Sequence, residues 1–405
     1  MLYRYLAKSP SGEEKKGIVE ARDTQQLART LREQGFILVE AEPAEKKEKK
    51  EMTAFSLPFL GGVSLTEKLM FTRNLQVMIA SGLSLPKSLE ILAEQTKSSK
   101  FRKAISEIRE KVVKGSNFSD CLAKRPDIFS ELFQNMIKVG EEAGNLDEVL
   151  EILSHQMERE HELKSKIKGA LMYPAVIVIA MVGIGALMLV MVVPKLAETF
   201  EELEIELPLT TQVVIGIGTF LAEKWYLALI FLVAFVFLFW LVLKTKQGKK
   251  MVDMIFLKAP IISPLIKKTN SASTVRTLSS LIAAGVPIVR SLEIISGVLG
   301  NIYYRNAIAT AAKKVRKGEK LSDALEGYQE IYPRIVFQMI RVGEETGETS
   351  KILEKLADFF EEEVGNATKN LTSVVEPVLM LIIGAAIGFF AISMVQPMYS
   401  MLGSI

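Results

Sequence analysis

The chain is short of the residues that most chemistry needs: one cysteine, two histidines and two tryptophans in 405 residues. A single thiol, Cys121, excludes an internal disulfide framework and a cysteine-built zinc site. His155 and His161 lie about 240° apart around a helix, so they cannot share a metal face as histidines four residues apart do. Both read as solvated helix residues. No G-x-x-x-x-G-K-[ST] string occurs, so no loop cradles phosphates; neither ATP hydrolysis nor any cofactor or metal is assigned to the chain, and it is not expected to be an enzyme. An excess of one charge is lacking too. Fifty Lys and Arg against 47 Asp and Glu leave +3, interspersed along the sequence, which argues against nucleic acid as a partner. The opening residues MLYRYLAKSPSGEEKK have no apolar core and no small-residue cleavage site, so no secretory signal is expected there.

Apolar residues are plentiful and segregated. They make up 49% of a chain that is also 24% charged, with a mean hydropathy of +0.24. Three uncharged stretches, Tyr173–Val193, Trp225–Leu243 and Pro377–Val395, would each be about 28 to 31 Å long as helices, the thickness of a hydrocarbon core. A milder stretch, Val213–Leu221, is too short to cross and reads as an interfacial helix or one leading into the second span. Arg159, Lys164, Lys166 and Lys168 precede the first span, and Lys244, Lys246, Lys249 and Lys250 follow the second. The loop 194–224 between them holds two Lys and six Glu. Basic flanks stay inside. The expected topology is therefore N-terminus cytoplasmic, 194–224 outside, 244–376 cytoplasmic and a C-terminal tail, 396–405, outside.

The sequence contains itself twice, at an offset of 203 residues. TRNLQVMIASGLSLPKSLEIL (72–92) lies on VRTLSSLIAAGVPIVRSLEII (275–295) with nine identities in 21 positions. Lys114, Gly115, Ser119, Asp120 and Leu122 lie on Lys317, Gly318, Ser322, Asp323 and Leu325. MIKVGEEAG (136–144) lies on MIRVGEETG (339–347), and Pro174 on Pro377. Such a repeat is a structural unit used twice. Each copy feeds a span in the same direction, so the second span is the extra crossing that brings the chain back.

Both copies read as six-helix bundles, over 64–169 and 252–372. In SKFRKAISEIREKVVKG, Phe101, Ile105, Ile108 and Val112 form one stripe, with Lys103, Glu107, Glu110 and Lys111 opposite. Ser119 and Ser322 are candidate N-caps; Gly82, Gly115, Gly285 and Gly318 are candidate helix ends. Residues 1–42 differ in kind: LYRYLA and KGIVEA suggest paired strands, Asp23 with Gln26 a helix start, Gly35 its stop, and FILVEAE a third strand. This is a small α/β module, followed by a charged, flexible linker over 43–63. The fold class is thus mainly α: an integral membrane protein with two repeated helical bundles, three transmembrane helices and a small N-terminal α/β module.

Several residues are candidates for function. In the two G-E-E-x-G strings, Gly140 or Gly144 ends a helix and Asn145 with Glu148 caps the next, a hairpin tip. Glu141, Glu142, Glu344 and Glu345 could instead form acidic edges for a basic partner surface, or oxygen ligands for a divalent cation. Hairpin geometry explains the glycines but not two glutamates in both copies. Gly384 and Gly388 form a G-x-x-x-G surface for close helix approach in the third span, and Gly183 with Gly185 a looser one in the first. Asp358 and Glu361 to Glu363 read as a solvated acidic face. Cys121 stands where the second copy has Ala324, so it reads as a packed small side chain.

R-x-L-x-x-L-x-x-A-G type openings led by Arg73 and Arg276, K-G-x-x-L-S-x-A-L, V-G-E-E-x-G and KIKGALMYP before a span together resemble the type II secretion F protein family. That family is the inner-membrane platform of type IV pili, type II secretion and competence machines. The resemblance implies an oligomeric protein of the bacterial cytoplasmic membrane. It implies contact with a hexameric cytoplasmic assembly ATPase, with pilins or pseudopilins that enter a growing filament, and with other inner-membrane assembly proteins. The alternative is a transporter or channel subunit. Against it, the three spans contain no ionisable residue.

Overall fold

The computed structural model describes residues 2–9, 14–21, 23–43, 62–202 and 207–402, and these fall into two compact units that meet in sequence between Gly62 and Val63. The expected linker over 43–63 lies, at 44–61, outside the described residues.

In the first unit β1 (Leu2–Lys8) pairs antiparallel with both β2 (Glu14–Glu20) and β3 (Ile37–Pro43), giving the order β2-β1-β3. Helix α1 (Thr24–Glu33) starts where Asp23 Oδ1 accepts the Gln26 N–H at 2.7 Å, and it stops at Gly35, φ 82°. Leu27 and Leu31 on α1 pack on Ala7, Ala21 and Leu38. A bulge at Leu6/Ala7 leaves Val39 without a partner in the register and turned to solvent.

The second unit begins with a capping box: Ser64 Oγ accepts the Glu67 N–H and the Glu67 carboxylate accepts the Ser64 N–H, which satisfies two of the first free donors of α2 (Leu65–Ala80). There follow α3 (Leu85–Gln95), α4 (Ser99–Val113), α5 (Phe118–Ala123), α6 (Glu131–Ala143) and the 42-residue α7 (Leu146–Leu187). The second copy repeats the order as α12 (Ser263–Ala283), α13 (Ile288–Val298), α14 (Ile302–Val315), α15 (Leu321–Glu326), α16 (Arg334–Thr346) and the 54-residue α17 (Thr349–Leu402). Six helices per copy are present, as expected. All four candidate end glycines take positive φ, between 81° and 91°. After each, the next N–H bonds back to a carbonyl of the last turn, as with Leu83 to Met78 and Val286 to Leu281.

Four boundaries differ from the sequence reading. The first span does not end at Val193: α7 passes into a π-helical turn (Met188–Val192) and on into α8 (Val193–Glu202). The tail after 395 stays helical to Leu402 although Pro397 lies within it. A further helix, α11 (Lys246–Lys258), precedes the second bundle. Most consequentially, the bundles are not separate: a single hydrophobic core runs from Phe71 of the first copy to Phe360 of the second. Between them α9 (Leu209–Glu223) leads to α10 (Trp225–Lys244), the second span, through Lys224. Among the described residues three helices are long and apolar enough to cross a membrane.

The two copies keep their backbone and change their centre. In the first, Phe71, Phe101, Phe129 and Phe133 pack with ring centroids 5.0 to 6.1 Å apart. At the same repeat positions the second has Thr274, Tyr304, Tyr332 and Val336. Tyr304 meets Tyr332 edge-on at 4.8 Å, and the Tyr332 hydroxyl is 2.9 Å from Thr274 Oγ1, which itself donates to the Asn270 carbonyl at 2.7 Å. Burial pushes both phenols up, so they stay neutral. The hydroxyls therefore arrive as a set. Tyr332→Phe should cost about 1 kcal/mol, and Thr274→Val, which strands a buried phenol O–H, about 1 to 3 kcal/mol. The double variant should cost less than the sum, measured by thermal unfolding in detergent.

Candidate functional site

The G-E-E-x-G strings form two corners of like construction. Gly144 is in the left-handed region at φ 74°, as is Gly347, and each ends its helix. Gly140 does something else: a Cβ there would lie 2.9 Å from Val149 Cβ, so only glycine lets α6 cross α7 this closely. A Cβ at Gly343 would lie 3.0 Å from Thr349 Cα. Asn145 is the residue before α7, but its side-chain amide donates to Glu148 Oε2 at 3.0 Å instead of capping the backbone.

The paired glutamates divide their roles. Glu141 is turned inward: its carboxylate accepts the Phe118 N–H at 2.6 Å, the Ser119 N–H at 3.0 Å and the Ser119 hydroxyl at 2.6 Å. Glu344 does the same for the N–H groups of Leu321 and Ser322, at 2.6 and 3.2 Å. These are the free donors at the first turns of α5 and α15, where a carboxylate is favoured by hydrogen bonding and by the helix dipole. Ser119 and Ser322 are thus not N-caps. Asn117 and Lys320 hold that position without a side-chain bond, and the acid from the neighbouring helix does the capping. The reading of all four glutamates as exposed edges is corrected accordingly. Glu141 and Glu344 hold the bundle together, while Glu142 and Glu345 face solvent, Glu142 with Lys138 at 3.8 Å. Among the described residues no three His, Cys, Asp or Glu side chains gather as metal ligands, so the corners present no cation cage.

The remaining candidates resolve one by one. Cys121 is buried, and burial pushes its thiol up, as suits a packing residue rather than a nucleophile. His155 is exposed, whereas His161 Nε2 lies 3.2 Å from Thr66 Oγ1 of α2. A Cβ at Gly384, Gly388, Gly183 or Gly185 would meet nothing within 4 Å, so among the described residues no helix closes on these positions. The close approach near the spans is at Gly218 of α9, where a Cβ would lie 2.7 Å from Val193 and 2.8 Å from the Leu189 carbonyl in the π-helical turn.

The junction that sequence reasoning missed is where α7, α12 and α17 meet. Gln156 of α7, 5% exposed, donates to Thr277 Oγ1 at 3.3 Å and accepts from Ser280 Oγ at 2.8 Å. One turn away, Arg276 of α12 is buried. Its Nε and Nη2 donate to the two oxygens of Glu361 on α17 at 2.7 and 3.0 Å, and Nη2 also to Asp358. Burial works against the guanidinium charge, but these hydrogen bonds outweigh it and hold its pKa above the ordinary arginine value. Arg159 of α7 stands 3.9 Å from the same Glu361. Glu361 is therefore no solvated acid, and Arg276 differs from its repeat mate Arg73, which is exposed. The available signal was the hydroxyl-rich run SASTVRTLSS, which is buried along most of its length.

Residues 71–194 and 274–397 each match the family described as type II secretion system (T2SS), protein F, and residues 1–42 match its N-terminal domain. The chain belongs to the type II secretion system protein F family. The two matches begin 203 residues apart, so the family unit is the repeat seen in the sequence. The chain is 34% identical over its whole length to a type IV pilus assembly protein PilC of Myxococcus xanthus, of which 95% is covered. It is 33% identical, again over its whole length, to a PilC of Thermus thermophilus, covering 99% of that protein. It is 32% identical over 94% of its length to a type II secretion system protein F of Aeromonas hydrophila, covering 97% of that one.

At the first corner, Gly140→Ala should cost about 1 to 3 kcal/mol through overpacking. Adding Val149→Ala should return part of that loss. Equal melting temperatures for Gly140→Ala and the parent would contradict the crossing described.

Proposed function

We propose that the chain is the inner-membrane platform of a type IV pilus or type II secretion machine, a non-enzymatic part that couples a cytoplasmic assembly ATPase to the insertion of pilin subunits into a filament. The observation that carries this is the continuity of α7 and α17. Each starts at a bundle corner and runs unbroken into a span, over about 63 and 81 Å, and both are gripped by α12. A displacement imposed on the bundles thus passes into the first and third spans. The names of the relatives support the machine, and the lack of a phosphate-binding loop fits hydrolysis by a separate chain. The N-terminus and both bundles are assigned to the cytoplasm and the C-terminus to the outside, from the basic flanks. The transporter alternative draws no support from spans without an ionisable residue.

Glu142 and Glu345 are the docking candidates that remain, since they recur in both copies and hold nothing inside. Glu142→Lys with Glu345→Lys, made at normal protein level, should lower filament output about tenfold, equivalent to about 1.4 kcal/mol at a docking step. Removing residues 1–52 should weaken co-purification of the ATPase and leave membrane assembly of the remainder intact. Unchanged output and unchanged co-purification together would refute the assignment of these surfaces.

The open G-x-x-x-G surface has a place in the same reading. Lipid offers no hydrophobic drive between helices, so copies associate where small residues let backbones close up. Gly384→Leu with Gly388→Leu should reduce oligomer size in mild detergent without reducing insertion.

A further inference from the structure

Helix α11 has its amphipathicity the wrong way round for a bundle in water. A helix on the surface of a soluble bundle turns its apolar stripe inward and its polar face out. Here the inward face carries Asp253, whose Oδ2 accepts the Ile302 N–H at 2.8 Å at the start of α14, and Leu257 one turn on, which packs against the core. The outward face carries Met251, Met254 and Ile255, at the i, i+3 and i+4 positions of one stripe. They are 64%, 40% and 53% exposed. The patch continues past the helix end through Ile261 and Ile262, both exposed.

The position of the helix says what covers this patch. Its start is joined to the second span by the single residue Thr245, whose hydroxyl accepts the Gly248 N–H at 3.0 Å. Gly248 is pressed against the last turn of α10, where any Cβ would collide with the Val242 carbonyl. The 20 residues of α10 span about 30 Å, so they end where the hydrocarbon ends, and α11 begins at that level. At 100° per residue Lys250 borders the stripe on one edge, Lys258 closes it at the last position of the helix, and Lys246 and Lys249 lie on the far side; among the described residues none of the four has an ion-pair partner. Long basic side chains at one edge and at the end of an apolar stripe can reach the phosphates above an acyl layer.

We propose that α11 is an interfacial membrane helix, lying in the boundary between headgroups and acyl chains with Met251, Met254 and Ile255 in the lipid and its lysines on anionic headgroups. Asp253 and Leu257 then tie the second bundle to the bilayer surface. The proposal rests on the reading of α10 as a span, and the experiment separates the two. With Cys121→Ala to remove the native thiol, single cysteines replace Ile255, Phe235 in the middle of α10, or Val113, exposed on α4 of the first bundle. Each full-length variant is labelled with a polarity-sensitive fluorophore in vesicles of phosphatidylethanolamine and phosphatidylglycerol. Spin-labelled lipids carrying the quencher high or low on the acyl chain report depth.

The label at 255 should be quenched at least about twofold more by the shallow than by the deep spin label, the label at 235 more by the deep one, and the label at 113 by neither. A label at 255 that behaves like the one at 113 overturns the proposal. So does one that is shielded from both quenchers and responds to protein dilution, which would mean that a second copy covers the patch. If the label at 235 also escapes the quenchers, the reading of α10 as a span fails instead.

Discussion

The grip of α12 on two helices at once organises the molecule. A buried amide, Gln156, is satisfied only if α7 lies against the hydroxyls of Thr277 and Ser280, and a buried guanidinium, Arg276, only if α17 brings up Glu361. Unpaired, either group would cost a great deal in this dry setting, so the register of all three helices is fixed by the need to pair them. The apolar core spreads around this point from one bundle into the other. Surface pairs between the bundles, such as Arg290 with Glu131 at 3.1 Å, add little beyond orientation.

The repeat shows which parts of the unit are geometry and which are free to change. Gly140 and Gly343, Gly144 and Gly347, and Glu141 and Glu344 do identical jobs 203 residues apart, because a close crossing, a left-handed residue and a capped short helix can be met by few side chains. The aromatic centre did change, since shape can be conserved while Phe71 and Phe129 become Thr274 and Tyr332, provided that each hydroxyl meets another. The polar junction exists in one copy alone: Arg73 is exposed where Arg276 is buried, since the first bundle's counterpart helix does not have another bundle laid across it in the same way.

Most of the architecture could be read from the residues because it rests on local or periodic signals. The spans announce themselves by length, the helix ends by glycine, the start of α1 by Asp23 and Gln26, and the duplication by its constant offset. The cap on α5 was misplaced because its acceptor, Glu141, is 23 residues from the N–H it receives, and nothing local marks such a pairing. The fusion of the bundles was missed for the same reason: Gln156 and Ser280 are 124 residues apart. Of the candidate residues, those whose role is conformational were legible, and those whose role is to meet a distant partner were not.

The membrane side obeys the same logic with a different solvent. Helices in lipid gain little from burying apolar surface, so contact there must come from close backbones and polar bonds. Helix α9 supplies both: Gly218 admits it to the π-helical turn in the last part of the first span, and Thr211, fully buried, donates its hydroxyl to the Ser393 carbonyl of the third at 2.5 Å. Val193, Val214 and Met394 fill the space between. The first and third spans are therefore joined at both ends, by α12 on the bundle side and by α9 on the other, whereas α10 has no buried residue. These contacts hold α7 and α17 to each other on both sides of the spans. The second span is joined to its neighbours only through Lys224 and Thr245 in sequence and packs no residue into a core.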